Sequence, residues 1–299
     1  MKLKKMNKGN LMMLGLLIYM VFMSNFIWVI IDLFNLPVTL VGILMLSQIF
    51  MFGVPFAVYV LFSKRKLADI IPLTPLDGKN LRYVVGITLV AMPIIAFISA
   101  LGSTFSNNYV QDVLGNLMSY PFWVGMIAIG MFPSFFEEVM FRGAIYTEHE
   151  KSFSPLTVAL VNGLFFGIMH MNIQQFLYAA VIGVLFSYFR HYTKSLIAPM
   201  LSHFIINGLN VTLMYVVMMQ DISEYEVYLA EEISPWVTVG AAGVVAILMV
   251  PLFLFLVKKF VAHNKKEEVV TENTRSFVKM LDLPFFLILA IFLVFAVIL

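Results

Sequence analysis

Runs of some twenty apolar residues recur along almost the whole chain, and each is long enough to cross a hydrocarbon core of about 30 Å as a helix. No other feature constrains the fold so tightly. In lipid the backbone must satisfy its own hydrogen bonds, so only helices and closed barrels span. The period-two alternation of barrel strands is absent. The sequence therefore predicts an all-α fold, a polytopic transmembrane helix bundle of eight to nine spans. The candidate spans are roughly 11–33, 38–62, 83–101, 120–145, 156–173, 175–190, 195–218, 235–257 and 284–299. The last, about 16 residues, is short enough to sit tilted or partly interfacial. Spans five and six are also short and almost continuous. Residues 1–299 read as one integral membrane domain, with 258–283 as a cytoplasmic charged loop and no soluble domain or internal repeat.

Composition supports this. Charged residues make up 12% of the chain, against about 25% in soluble domains. Cysteine is absent, which excludes disulfides, a cysteine nucleophile, palmitoylation and thiolate metal ligands. Any metal would be held by His, Asp, Glu or water. The basic N-terminus, MKLKKMNKGN, leads into a span-length run with no small-residue cleavage site, so the run reads as a retained first span rather than a signal peptide.

Charge placement predicts orientation. With the N-terminus in the cytoplasm and nine spans threaded, the inner segments are 1–10, 63–82, 142–155, 190–194 and 258–283. All 19 Lys and Arg fall in these segments, as the positive-inside rule requires. The outer segment 221–232, DISEYEVYLAEE, is acidic. The expected location is the cell membrane, multi-pass, with a cytoplasmic N-terminus.

A charge at mid-bilayer costs roughly 2.5–3.5 kcal/mol or more, so ionisable groups inside spans usually face the bundle interior and do work. Asp32 lies at a span end and reads as solvated. His149, His191 and His263 stand beside other charges and read as surface residues. The rest gather in three spans: Glu137, Glu138 and Arg142 in PSFFEEVMFRG; Asn162, Phe166 and His170 in NGLFFGIMHM; His203, Asn207 and Asn210 in SHFIINGLN.

Helical spacing orders these groups. Glu138 and Arg142 share a face with the acid N-terminal, the favourable order for an intrahelical ion pair. Their expected role is a structural clasp at the cytoplasmic end of span four. Glu137 is rotated about 100° from Glu138 and has no local partner, so it is the carboxylate left to act as general base. His203 and Asn207 share a face, and Phe166 and His170 repeat that spacing. Any one of these residues reads equally well as packing glue or an interhelical hydrogen bonder. A purely structural bundle has little need for so many in three neighbouring spans.

A carboxylate, two imidazoles and an amide suit the activation of water beside a polarised carbonyl. The acid takes a proton from water, one His orients that water, and the second His and the amide donate to the oxyanion. The alternative puts Glu137, His170 and His203 on zinc. Both hydrolyse an amide, and the residue types do not choose between them. No HExxH, GxSG-type or GxGD-type motif is present.

EEVMFR fits EExxxR, FGIMH fits FxxxH and HFIIN fits HxxxN, in order, on spans four, five and seven. In this the chain resembles the CPBP family, also called the Abi or CAAX-protease-like family. That family includes CAAX prenyl endopeptidases and bacterial proteins linked to bacteriocin self-immunity and peptide maturation. The resemblance covers a core of about 120–212. It implies an intramembrane protease with Glu137 as catalytic base, Glu138 beside it and Arg142 as structural partner. His170 would hold the water or a metal, Phe166 would support the site, and His203 with Asn207 would form the oxyanion site. The implied partners are a peptide or membrane-protein substrate and the lipid bilayer, with no nucleic acid.

One point of geometry fits poorly. At 1.5 Å per residue, Glu137 and His203 lie about 12 Å from the cytoplasmic ends of their spans, and His170 lies about 21 Å. Either 150–159 lies along the interface, or span five is tilted or broken near Gly163 or Gly167. Pro133 is expected to bend span four one turn before the glutamates. Two other functions stand beside proteolysis: a proton-coupled transporter with Glu137 and the histidines as relay, and a non-catalytic immunity or partner-binding protein. Transport would be favoured by inverted repeats or paired broken spans, and neither is visible.

Overall fold

The structure, a computed structural model, describes residues 6–105, 117, 119–220, 234–265 and 277–298. Seven helices are long and apolar enough to cross a membrane. They are α1 (Lys8–Leu33), α2 (Leu40–Phe62), α3 (Gly78–Ser103), α4 (Phe122–His149), α6 (Ile173–Thr193), α7 (Ile197–Met218) and α8 (Pro235–Asn264). Two shorter apolar helices, α5 (Pro155–Met169) and α9 (Leu283–Ile298), complete the set. Among the described residues there is no strand. Each of the nine expected spans corresponds to one helix. The acidic segment 221–232, and parts of the basic segments 1–10 and 258–283, lie outside the described residues.

Local sequence explains the helix starts. Asn7 accepts from the N–H groups of Gly9 and Asn10 at the head of α1, and Asp77 does the same for α3. Ser154 caps α5, with Pro155 at the first helical position, where its missing N–H costs nothing. Asn172 caps α6 three residues after α5 ends, so α5 and α6 form a tight hairpin. A Cβ on Gly183 would lie 2.8 Å from the Cα of Gly163. The two backbones therefore touch, the close approach that small residues allow between spans.

Apolar side chains bury in two clusters. The first draws Leu17, Phe141, Phe165 and Phe285 from α1, α4, α5 and α9. The second draws Val84, Phe186, Ile206 and Phe260 from α3, α6, α7 and α8. The last segment is thus an integral part of the bundle, with α9 packed on α1 and α5 and the Phe292 ring 4.8 Å from that of Phe176.

Arg142, expected as the structural partner of Glu138 in span four, and Arg190, counted among the cations of the inner segment 190–194, are both buried. His149 is fully buried rather than a loop residue. The helix of span four runs on through a π-helical stretch, Val139–Ile145, past the expected end at 145, and stops within the charged string EHEK at His149. The His149 Nε2–H donates to Asn10 Oδ1 at 3.1 Å, and Asn162 Nδ2 donates to His149 Nδ1 at 3.1 Å. Asn10 Nδ2 in turn donates to Met280 O and Asp282 Oδ1. This knot ties α1, α4, α5 and the entry to α9 together. Asp32 and His263 are exposed, as expected, while His191 is half-buried against the Tyr146 hydroxyl.

Candidate active site

The glutamate pair sits on a short α-helical segment, Phe132–Glu138, between two π-helical stretches of α4, Met126–Met131 and Val139–Ile145. Such π turns are uncommon and often accompany functional sites. Both carboxylates face one imidazole. His203 Nδ1 lies 3.0 Å from Glu138 Oε1, and His203 Nε2 lies 4.0 Å from Glu137 Oε2. The rotation between adjacent residues thus lets the two acids meet the two nitrogens of the same ring. All three side chains are buried, with Glu137 at 7% and His203 at 6% relative exposure.

Glu138 does more than clasp Arg142. Its Oε1 accepts from Arg142 Nη1 at 3.0 Å and from the Nδ1–H of His203. As a carboxylate it can only accept, so it fixes the proton of His203 on Nδ1 and turns Nε2 toward Glu137. Its Oε2 is buried without a hydrogen-bond partner. Arg142 is fully buried, and its Nη2 donates to Gly183 O at 2.9 Å. The guanidinium lies 4.4 Å over the Phe166 ring and 5.1 Å from that of Phe186. These rings come from the two apolar clusters, so the site occupies the seam between them. A Cβ on Gly183 would approach Arg142 Nη2 to 3.1 Å, so a side chain there would crowd the guanidinium.

Phe166 is the hub of the site. Its ring meets His170 edge-on at 5.3 Å, His203 at 5.9 Å and Phe141 at 5.2 Å. His170 caps the end of α5, and its Nδ1–H donates back to Phe166 O at 2.8 Å. The ring thus leans back toward the start of α5, as helical side chains do. The helix is unbroken from Pro155 to Met169, so there is no break at Gly163 or Gly167.

Asn207 has an unexpected task. The N–H that an α-helix would offer to Ile129 O belongs to position 133, which is proline and has none. Asn207 Nδ2 supplies the donor instead, at 3.0 Å from Ile129 O. The helix passes Pro133 by way of the π stretch just before it, and Asn207 is thereby fastened one turn beyond His203. Its second amide hydrogen remains free of any described partner. Asn162 belongs to the His149 knot and Asn210 is exposed, so neither joins the site.

Sequence reasoning missed Gln48. Its Nε2 donates to Glu137 Oε1 at 3.2 Å, so Glu137 is not without a partner. The only signal was a lone amide in the apolar run 38–62. Among the described residues no three His, Asp or Glu side chains group as metal ligands. Glu137, His170 and His203 are not grouped as a ligand triad, and Phe166 packs against both imidazoles. Zinc therefore does not fit the residues as they stand.

In comparisons with known proteins, residues 119–209 match the Rce1-like family, described as type II CAAX prenyl endopeptidase Rce1-like. All seven candidate site residues, Glu137 to Asn207, fall within that segment. Neither the curated proteins nor the solved structures gave a match.

Proposed function

We propose that this chain, whose residues 119–209 match the type II CAAX prenyl endopeptidase Rce1-like family, hydrolyses a peptide bond of a membrane-associated protein or peptide with water activated on Glu137. The observation that carries this reading is the ring of His203 between the two carboxylates, with Nδ1 engaged by Glu138 and Nε2 facing Glu137 across 4.0 Å. That gap is too long for a direct hydrogen bond and admits a reacting oxygen between acid and imidazole.

The reaction runs as follows. Glu137 takes a proton from water, and the water oxygen bonds to the scissile carbonyl carbon while the carbonyl electrons move onto oxygen. The free amide hydrogen of Asn207 donates to that oxyanion, and His203 does so through Nε2 when its ring carries a proton on both nitrogens, Nδ1–H staying on Glu138. His170, with Nδ1–H fixed on Phe166 O, offers Nε2 to the attacking water. Collapse breaks the C–N bond, and the leaving amine takes its proton from Glu137. No step passes through a metal. We place the site in the cytoplasmic half of the membrane, on the orientation that the basic segments imply. Removal of a leader from a peptide, or a role in bacteriocin immunity, suits this chemistry as well as processing of a prenylated CAAX tail.

Comparing membrane peptidomes of cells carrying the wild type, Glu137→Gln or His203→Ala tests the reading. Cleavage products should vanish in both variants while the protein remains folded and inserted. Identical peptidomes in all three refute it. Lost solute flux with no missing product indicates a transporter.

A further inference from the structure

Glu137 is held from outside the family-matched segment. Gln48 lies on α2, 89 residues from its partner in sequence, and its Nε2 donates to Glu137 Oε1 at 3.2 Å. The other oxygen of that carboxylate, Oε2, is the one that faces His203. One amide hydrogen bond therefore sets which oxygen is presented to the imidazole. The carbonyl of the same amide, Gln48 Oε1, is buried and has no hydrogen-bond partner.

The backbone around Gln48 is shaped for this contact. Immediately after it α2 widens into a π-helical stretch, Ile49–Gly53. Gly53 closes on α4 so tightly that a Cβ there would lie 3.0 Å from the ring of Phe136, the residue before Glu137. Phe52 meets Phe141 one turn further along α4, at 6.4 Å between ring centroids. These contacts fix α2 against α4 on either side of the glutamates.

We propose that Gln48 is a positioning residue for the general base, serving both of its protonation states. As a carboxylate, Glu137 accepts from the Gln48 N–H. Once Oε2 has taken the proton from water, Oε1 is the carbonyl oxygen of the acid and still accepts from the same N–H, so the amide holds the group in both states with no proton of its own to gain or lose. This deepens the proteolytic reading and rests on it for its kinetic consequence, but the contact itself does not.

The test uses Gln48→Met, which keeps the volume and removes both polar atoms, and Gln48→Glu, which restores a donor when protonated. Two readouts are taken on purified full-length protein. The first is turnover of a quenched-fluorescence prenylated CAAX peptide. Gln48→Met should lower kcat about ten- to hundredfold, the range for losing a hydrogen bond to a charged group, with KM unchanged. Gln48→Glu should regain rate as pH falls, whereas Gln48→Met should not. The second readout is infrared: the carboxyl band that disappears in Glu137→Gln should shift in Gln48→Met. An unshifted band overturns the contact whether or not the peptide is cut. A shifted band with unchanged kcat overturns the positioning role. A shifted band in a wild type that cuts nothing supports the contact and refutes the proteolytic reading instead. If Gln48→Met does not fold, the pH dependence of Gln48→Glu decides: a profile identical to wild type overturns the proposal.

Discussion

Two buried histidine clusters stand in this bundle, and they differ in one respect that separates architecture from chemistry. Around His149 the partners are amides and a backbone carbonyl, and the one carboxylate nearby, Asp282, meets Asn7 and Asn10 rather than the ring. Both ring nitrogens are engaged within hydrogen-bond distance, one as donor and one as acceptor. Around His203 two adjacent carboxylates meet one guanidinium, and one ring nitrogen faces a carboxylate across a gap of 4.0 Å. Buried atoms left without partners there include Glu138 Oε2, Gln48 Oε1 and Arg142 Nε, whereas the knot leaves Asn162 Oδ1. Burial and polarity are common to both. Surplus acid and an open ring nitrogen belong only to the second, and those are what proton transfer needs.

Substitutions should separate the clusters accordingly. The largest effect is expected from Glu137→Gln. It removes the base while keeping shape and the Gln48 contact, so kcat should fall about 10²–10⁴-fold with the thermal midpoint in detergent unmoved. If the midpoint falls and the remaining folded protein cuts at the normal rate, the cluster is structural like the knot. Arg142→Ala comes next and should damage both properties. It strips the partner from a buried carboxylate, at a cost of about 3–5 kcal/mol, and releases the acceptor that orients His203. Arg142→Lys should rescue little, because an ammonium cannot reach Glu138 and Gly183 O together while lying flat on Phe166. His149→Leu is the mirror image of Glu137→Gln. It strands Asn10 Oδ1 in the interior, costing about 1–3 kcal/mol of stability. The rate per folded molecule should be unaltered, and a loss of rate without a loss of stability would erase the distinction between the two clusters.

Much of the site was legible because its motifs repeat at helical spacing. Glu138 with Arg142, and Phe166 with His170, are each one turn apart, and both pairs touch as expected. What could not be read was which neighbour each span would turn toward. Asn162 shares its helix with His170 yet faces the knot. His149 looked solvated because its sequence neighbours are charged, but it closes α4 against Asn10 and Asn162, partners on other helices. Asn207 looked like a free donor, and it is half-committed to the carbonyl that Pro133 leaves open. Gln48 was invisible for a different reason: nothing local in the apolar run 38–62 announces a partner so far along the chain. Spacing reports contacts within one helix, while contacts between helices depend on packing angles that no single span encodes.

The smallest expected effect is a null one, and it bears on the alternative left open by residue type alone. Zinc on Glu137, His170 and His203 would require both Nε2 atoms and a carboxylate oxygen to converge on one point. His203 Nδ1–H on Glu138 and His170 Nδ1–H on Phe166 O are the outer contacts that metal-binding histidines also make, so hydrogen bonding alone does not distinguish the two readings. Convergence does: the edge of Phe166 stands against both rings, and no three acidic or imidazole side chains group as ligands among the described residues. Dialysis against a chelator should therefore leave the cleavage rate unchanged, and elemental analysis of active protein should find no stoichiometric zinc. A rate lost on chelation and restored by zinc, but not in His170→Ala, would show that the two histidines close past Phe166 around an ion. The cluster would then differ from the His149 knot by its ability to rearrange as well as by its surplus acid.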